Sequence, residues 1–125
     1  MNIPQDLRYT REHEWVRLEG DIATIGITDY AQGELGDIVF IEVETVGDEI
    51  AVGEVFGTME AVKTVNDLFS PLAGEVTAFN EGLEDDPEAV NNDPYGNGWI
   101  VRMKLSNPSD FKGLLTAEEY SDLIR

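Results

Sequence analysis

Short stretches of apolar and β-branched residues, separated by turns that contain glycine, run through the first two-thirds of the chain. The predicted strands cover residues 15–18, 22–27, 39–43, 54–59, 74–79 and 99–105. In the third of these, Val39, Ile41 and Val43 occupy alternate positions, which is the period-two pattern of a strand with one buried face. Short strands at this spacing are typical of a compact β-sandwich or barrel. The sequence therefore predicts a mainly β fold.

Two helices are predicted from their capping residues. Thr28 can cap a short helix that Gly36 ends in a left-handed conformation. Thr116 and Glu119 have the spacing of a capping box, and apolar residues follow at helical intervals. We therefore expect a C-terminal helix over about residues 116–124.

The chain has 125 residues, which suits one domain with one core. The stretch 81–98 is rich in Asp, Asn, Pro and Gly, and we expect it to be mainly an ordered loop with one turn near residues 87–90. No stretch has the composition of a linker. The sequence therefore predicts a single domain over residues 1–125.

The chain is strongly acidic. It has 26 acidic and 8 basic side chains, which give a formal net charge of −18. This charge would repel phosphate backbones and anionic lipids, so neither nucleic acid nor a membrane is expected as a partner. No apolar run is long enough to cross a membrane, and no signal peptide is visible at the start. We expect a cytoplasmic protein.

The residue types also limit the chemistry of the chain. It has no cysteine and a single histidine, His13, which excludes thiol nucleophiles, thiolate zinc sites and a histidine-rich metal centre. The Gly-x-Ser-x-Gly elbow and the phosphate-binding Gly-x-x-x-x-Gly-Lys motif are both missing. We therefore predict no catalytic residue and no metal site. Any sulfur chemistry would have to come from an attached group.

Lys63 has an unusual setting among the three lysines of the chain. It follows a predicted strand, and an extended segment then leads to a turn over residues 71–74. This order places Lys63 at the tip of a hairpin with its side chain in solvent. Because lysines are mostly exposed, the spacing alone fits both a solubilising charge and an attachment site.

Glu60-Ala-Val-Lys63 closely resembles the Glu-Ser-Val-Lys lipoylation signature of the glycine cleavage system H proteins. Further blocks are similar to that family in the same order: Tyr9–Val16, Gly26–Gln32, Leu35–Phe40, Ser70–Val76, Asn80–Glu84, Val90–Asn91, Asp93–Gly96 and Gly98–Ile100. The resemblance extends from about Leu7 to Tyr120, which is nearly the whole chain.

The departures from the family pattern are mild. Ala61 replaces the usual serine, Thr64 a common alanine, and Met59 a small aliphatic residue. Biotin carriers also have a related motif, but there methionines directly flank the modified lysine. Here the flanking residues are Val62 and Thr64, so biotin is the weaker interpretation.

The resemblance implies a fold and a cofactor. The family fold is a flattened barrel or sandwich of two antiparallel sheets, a lipoyl/biotinyl-type hybrid motif with short helices and a C-terminal helix. Its lipoyl-type core would cover about residues 22–104. Lipoate would be joined to the side-chain amine of Lys63 through an amide, and lipoylating enzymes would read Glu60.

The resemblance also implies a carrier rather than an enzyme. Such a carrier takes the aminomethyl group of glycine from a pyridoxal-phosphate glycine decarboxylase to a tetrahydrofolate-dependent aminomethyltransferase. A dihydrolipoamide dehydrogenase then reoxidises it. We expect a monomer. Two alternatives remain open at this point: a lipoyl-relay or scaffold protein of similar fold, and an unmodified β-domain that only binds partners.

Three acidic residues are candidates for holding the cationic end of a loaded arm. Glu14 and Asp67 match family positions that line the cleft where the arm can rest. Glu12 lies two residues before Glu14 and would share its strand face if this segment is extended. In a chain with 26 acidic residues, the alternative is that these side chains are simply solvated.

Overall fold

Two antiparallel β-sheets make up most of the structure, a computed structural model that describes residues 1–125. The strands are β1 (Arg8–Tyr9), β2 (Glu14–Glu19), β3 (Ile22–Ile27), β4 (Ile38–Glu42), β5 (Glu49–Ile50), β6 (Val55–Ala61), β7 (Val65–Phe69), β8 (Gly74–Phe79) and β9 (Val101–Leu105). One sheet has the order β1-β2-β3-β9-β8-β5, and the other has the order β4-β6-β7. This architecture confirms the predicted mainly β fold of two antiparallel sheets. Neither sheet closes into a barrel.

Four short α-helices accompany the sheets: α1 (Asp29–Leu35), α2 (Gly82–Asp85), α3 (Ala89–Asn92) and α4 (Ala117–Leu123). A 3₁₀ helix over Pro108–Gly113 precedes α4. None of them has both the length and the apolar character that a membrane span requires.

Both predicted caps form. The hydroxyl oxygen of Thr28 accepts a hydrogen bond from the backbone amide of Ala31, and Gly36 ends α1 with φ 79°. At α4, the Thr116 hydroxyl accepts from the amide of Glu119, whose carboxylate accepts from the amide of Thr116. These helix ends follow the sequence closely because capping is a local interaction.

Two details differ from the sequence expectations. The stretch predicted to be mainly loop with one turn contains two one-turn helices, α2 and α3, which bury Leu83 and Val90 respectively. In β4, the pairing with β6 shifts between Ile38 and Phe40, so Val39 is 46% exposed while Ile41 is buried. The predicted alternation from Val39 was therefore wrong, because the irregularity turns that side chain outward.

The core has two parts. The larger part lies between the sheets, and the smaller part attaches α4 to β1 and β2 through Leu7, Tyr9, Trp15, Ala117 and Tyr120. The rings of Tyr9 and Tyr120 stack with their centroids 4.7 Å apart. Burying large side chains of this kind stabilises the fold by about 1.5–3 kcal/mol each. The end of the chain is therefore packed tightly against its beginning.

Candidate functional site

Lys63 lies at the tip of the β6–β7 hairpin, as the sequence predicted, and its side chain is exposed. Two backbone hydrogen bonds hold the tip in place. Ala61 N donates to Thr64 O at 2.8 Å across the turn, and Val62 N donates to Asp37 O at 3.1 Å, next to β4. The lysine amine is therefore exposed to solvent, while the backbone beside it is held by one bond across the turn and one bond to the segment before β4.

Glu60 lies in a row of side chains beside this tip. It pairs with Phe40 of β4 on one side and with Val65 of β7 on the other. Phe40 is 51% exposed and Val65 is 68% exposed, and Glu60 is exposed between them. Directly paired residues in a sheet project to the same face. A carboxylate between two exposed apolar side chains therefore forms a surface close to Lys63, which we call the tip row.

A cleft of about 420 Å³ opens beside β7. Its three walls are the turn that precedes β2, one side of α1, and β7. Its apolar lining consists of Ile27, Ala31, Leu35, Met59, Leu68 and Phe69. Tyr30 and His13 also line it, with their ring centroids 4.9 Å apart. The cleft therefore offers an apolar surface of the kind that an alkyl chain can contact.

Four carboxylates line the same cleft: Glu12, Glu14, Glu34 and Asp67. The three acidic residues singled out from the sequence are thus brought together, although Lys63 and Glu60 are not among the lining residues. Glu12 does not share a strand face with Glu14, so that expectation was wrong. The segment before β2 is a turn rather than a strand, with His13 at φ 70°, and this turn brings Glu12 to the cleft.

Glu14 has the most unusual environment of the four. It is 3% exposed, and its carboxylate accepts a 2.8 Å hydrogen bond from the Thr10 hydroxyl. Burial raises the pKa of Glu14 to about 7, and the neighbouring Glu12 acts in the same direction, while the bond from Thr10 opposes the rise. The carboxyl is therefore partly protonated near neutral pH, and a cation in the cleft would favour its ionised form.

The sequence reasoning missed Glu34 and Tyr30 as cleft residues. Both lie on α1, four residues apart, where helical spacing places them on one side together with Ala31 and Leu35. The spacing of Tyr30 and Glu34 on one side of the predicted helix could have identified them together. The orientation of this helix toward β7, however, depends on packing between elements that are distant in sequence. His13, the single histidine, forms a hydrogen bond, with its Nδ1 2.9 Å from the Tyr120 hydroxyl.

Known proteins resemble this chain over nearly its full length. The family model described as "Glycine cleavage H-protein" matches residues 7–125. A glycine cleavage system H protein from Bacteroides fragilis is 57% identical over 124 residues, which cover 99% of this chain and 98% of that protein. One from Rubrobacter xylanophilus is 60% identical over 119 residues, covering 95% of this chain and 92% of that protein.

The fold agrees with that result. A solved structure of a glycine cleavage system H protein from Mycobacterium marinum superposes with a TM-score of 0.87 at 38% identity, covering 96% of this chain and 97% of that one. An H protein is a lipoyl carrier subunit of the glycine cleavage system and not itself a catalyst, which confirms the carrier predicted from the sequence. The chain belongs to the glycine cleavage H-protein family.

Proposed function

We propose that Lys63 is the residue that carries lipoate, through an amide on its side-chain nitrogen. The observation that carries this proposal is the position of Lys63, exposed at a hairpin tip whose second strand continues as a wall of the cleft. Acylation removes the positive charge of the lysine. The other two lysines are not at a hairpin tip: Lys104 lies within β9 and Lys112 lies in the 3₁₀ helix.

The residues present fit a lipoyl arm. From Lys63, β7 runs toward Asp67, a distance of about 13 Å along an extended chain. The apolar lining of the cleft can contact the alkyl part of an arm, and its carboxylates can hold a positive charge at the end. When bound, the lipoyl group supplies the redox-active sulfur that this cysteine-free chain lacks.

We propose that Glu14 and Asp67, assisted by Glu12, hold the ammonium of the carried aminomethyl group. Glu14 is buried beside an uncharged partner, Thr10, so its ionised form has no cation to balance it in the folded chain. An arriving ammonium would supply that cation beside a buried carboxyl, where the attraction is stronger than in bulk water. The cleft would thereby shield the cargo between visits to enzymes.

Glu60 is proposed to be the carboxylate that lipoylating enzymes read. Its neighbours in the tip row, Phe40 and Val65, offer apolar contact on either side. An enzyme that brings its active site to Lys63 must cover this surface, because the tip row lies beside the hairpin tip. The proposed recognition therefore combines one charge with two apolar anchors.

The proposed partners are the glycine decarboxylase, the aminomethyltransferase and the dihydrolipoamide dehydrogenase, in addition to the lipoylating enzymes. We further propose that the chain works as a monomer in the cytoplasm, because a carrier that visits several enzymes needs its surface free. Membership of the glycine cleavage system supports the choice of partners.

Mass spectrometry tests the attachment site. The protein is expressed in a host that can attach lipoate, and its intact mass is compared with that of Lys63→Arg. We expect one lipoyl-sized increment that maps to the peptide containing Lys63 and is missing from the variant. An unmodified wild-type chain, or an increment at Lys104 or Lys112, would overturn the proposal. Glycine–bicarbonate exchange with the decarboxylase then separates the glycine cleavage carrier from a lipoyl relay.

A further inference from the structure

Three side chains from distant parts of the chain form a hydrogen-bonded relay behind the cleft. The Tyr120 hydroxyl of α4 lies 2.9 Å from His13 Nδ1 and 2.7 Å from the hydroxyl oxygen of Thr28. The Thr28 oxygen also accepts the backbone amide of Ala31 at 3.1 Å, as the cap of α1. Tyr120 and Thr28 are fully buried, so water cannot replace a missing partner.

The direction of the hydrogen bonds follows from counting protons. A backbone amide can only donate, so the Thr28 oxygen must accept from Ala31. The Thr28 proton then has one acceptor within reach, the Tyr120 hydroxyl oxygen. Tyr120 in turn donates its own proton to His13 Nδ1. If Tyr120 instead donated its proton to the Thr28 oxygen, the buried Thr28 proton would have no acceptor, which is unfavourable.

We propose that this relay from Thr28 through Tyr120 holds His13 as a neutral imidazole with its proton on Nε2, so that the cleft contains no fixed cation of its own. The tautomer of His13 is a property of the unmodified chain. The value of a cleft without a cation rests on the proposed function, because an imidazolium inside the cleft would compete with a carried ammonium for the same carboxylates.

Several carboxylates surround His13 and would favour its protonated form, which the relay opposes. Glu12 and Glu14 flank it on the turn, Glu34 and Tyr30 face it from α1, Asp67 lines the opposite wall on β7, and Tyr120 contacts it from α4. The carboxylates favour the protonated ring. Burial lowers the pKa of His13 in spite of Glu12 and Glu34, which act to raise it. A donor bonded to Nδ1 also favours the neutral ring.

The position of the ring is fixed by backbone contacts. His13 adopts φ 70°, a left-handed conformation that is uncommon outside glycine. Its amide donates to Thr10 O at 3.2 Å, and its carbonyl accepts from Thr28 N at 3.0 Å. Burial raises the pKa of Tyr120 to about 12, so its hydroxyl keeps the proton that it donates. Tyr120 is thus a positioning residue that acts through His13.

Because His13 is the only histidine, its ring nitrogens can be observed without overlap. Two-bond ¹H–¹⁵N spectra of the wild-type protein without lipoate, recorded across a pH titration, report both tautomer and pKa. We expect the Nε2-protonated tautomer and a pKa below the ordinary value. In Tyr120→Phe, which removes one hydroxyl, the pKa should rise by about half a unit to one unit and both tautomers should be populated.

Tyr9→Phe is the matched control, because Tyr9 stacks on Tyr120 but directs its hydroxyl to Pro4 O. It should leave the tautomer and the pKa of His13 unchanged. A wild-type ring with its proton on Nδ1 would overturn the proposal, and so would a Tyr120→Phe pKa equal to that of the control. If Tyr120→Phe does not fold, the wild-type tautomer alone decides. None of these spectra depends on lipoate, so failure of the Lys63 proposal would be seen separately.

Discussion

Three hydrogen bonds join Thr10 and Glu14. The Thr10 hydroxyl donates to the Glu14 carboxylate at 2.8 Å, and the Glu14 backbone amide donates to the same hydroxyl oxygen at 3.2 Å. The Thr10 backbone amide also donates to the Glu14 carbonyl oxygen at 3.0 Å. This pair closes the turn that brings Glu12 and His13 to the cleft. It fixes the Glu14 carboxylate in a buried position without neutralising its charge. The side chain is therefore positioned at a cost in free energy that a cation could offset.

Replacing Glu14 by Gln should stabilise the protein at alkaline pH. The folded chain holds the Glu14 proton up to a pKa of about 7, well above the value of 4.5 in the unfolded chain. The folded state therefore binds more protons between these values, and its free energy of unfolding falls as pH rises through this window. Gln has no such dependence, so at pH 8 the variant should be more stable by up to about 3 kcal/mol.

Urea unfolding at pH 4 and at pH 8 measures this difference. Glu19→Gln, at the exposed end of β2, is the control and should track the wild type. Equal stability of Glu14→Gln and wild type at pH 8 would show that burial does not perturb this carboxyl.

The loaded form of Glu14→Gln should release ammonia faster than the loaded wild type. Losing one charge-assisted contact to the ammonium is expected to raise the rate about fivefold to tenfold at pH 8. The ratio should shrink toward one near pH 6, where most Glu14 in the unoccupied cleft is already protonated. Asp67→Asn should also release ammonia faster. Release rates equal to those of loaded Glu19→Gln would contradict the assigned roles.

Glu60→Ala should slow lipoylation of Lys63 about tenfold or more, because one recognised charge is worth at least about 1.4 kcal/mol. Phe40→Ala and Val65→Ala should each slow it less. Initial rates with a lipoylating enzyme are followed by intact mass. Glu42→Ala removes an exposed carboxylate from the same sheet, two pairs farther from the tip, and should have little effect. Equal rates for the Glu60 and Glu42 variants would rule out specific recognition.

Gly26→Ala should destabilise the fold by about 1–3 kcal/mol, because a Cβ at this position would lie 2.7 Å from the indole nitrogen of Trp15. That nitrogen donates to Pro94 O, and a displaced ring would lose this bond as well. Gly33→Ala in α1 is the opposite case, since its Cβ would meet open space. It should stabilise the protein by about 0.5–1 kcal/mol. Thermal unfolding of both variants measures the contrast.

The features that the sequence predicted well are local. The caps of α1 and α4 depend on contacts three residues apart, and the hairpin that carries Lys63 depends on two neighbouring strands. The outward turn of Val39 was not predictable, because a shift in strand pairing involves a partner on another strand. Glu12 lines the cleft because of a turn around His13, whereas the sequence prediction for Glu12 assumed an extended strand.

The cleft itself is a tertiary feature. Its walls come from residues 12–14, α1 and β7, and nothing local sets the distances between them. The acidic residues Glu14 and Asp67 were found through the family resemblance, whereas Glu34 needed the packing of α1. The relay from Thr28 through Tyr120 to His13 joins three elements that no periodicity connects.

The bond from Val62 N to Asp37 O has a consequence for how an arm would search its surroundings. With the tip held to the segment that precedes β4 in the same sheet, the proposed attachment point at Lys63 would not wander, and all movement would lie in the side chain and what it carries. The arm then samples a volume centred on one fixed origin. A docked enzyme whose active site falls inside that volume meets the arm at high effective concentration, and one whose site falls outside it meets none. The reach of the carrier is therefore set by the anchored hairpin as much as by the length of the arm.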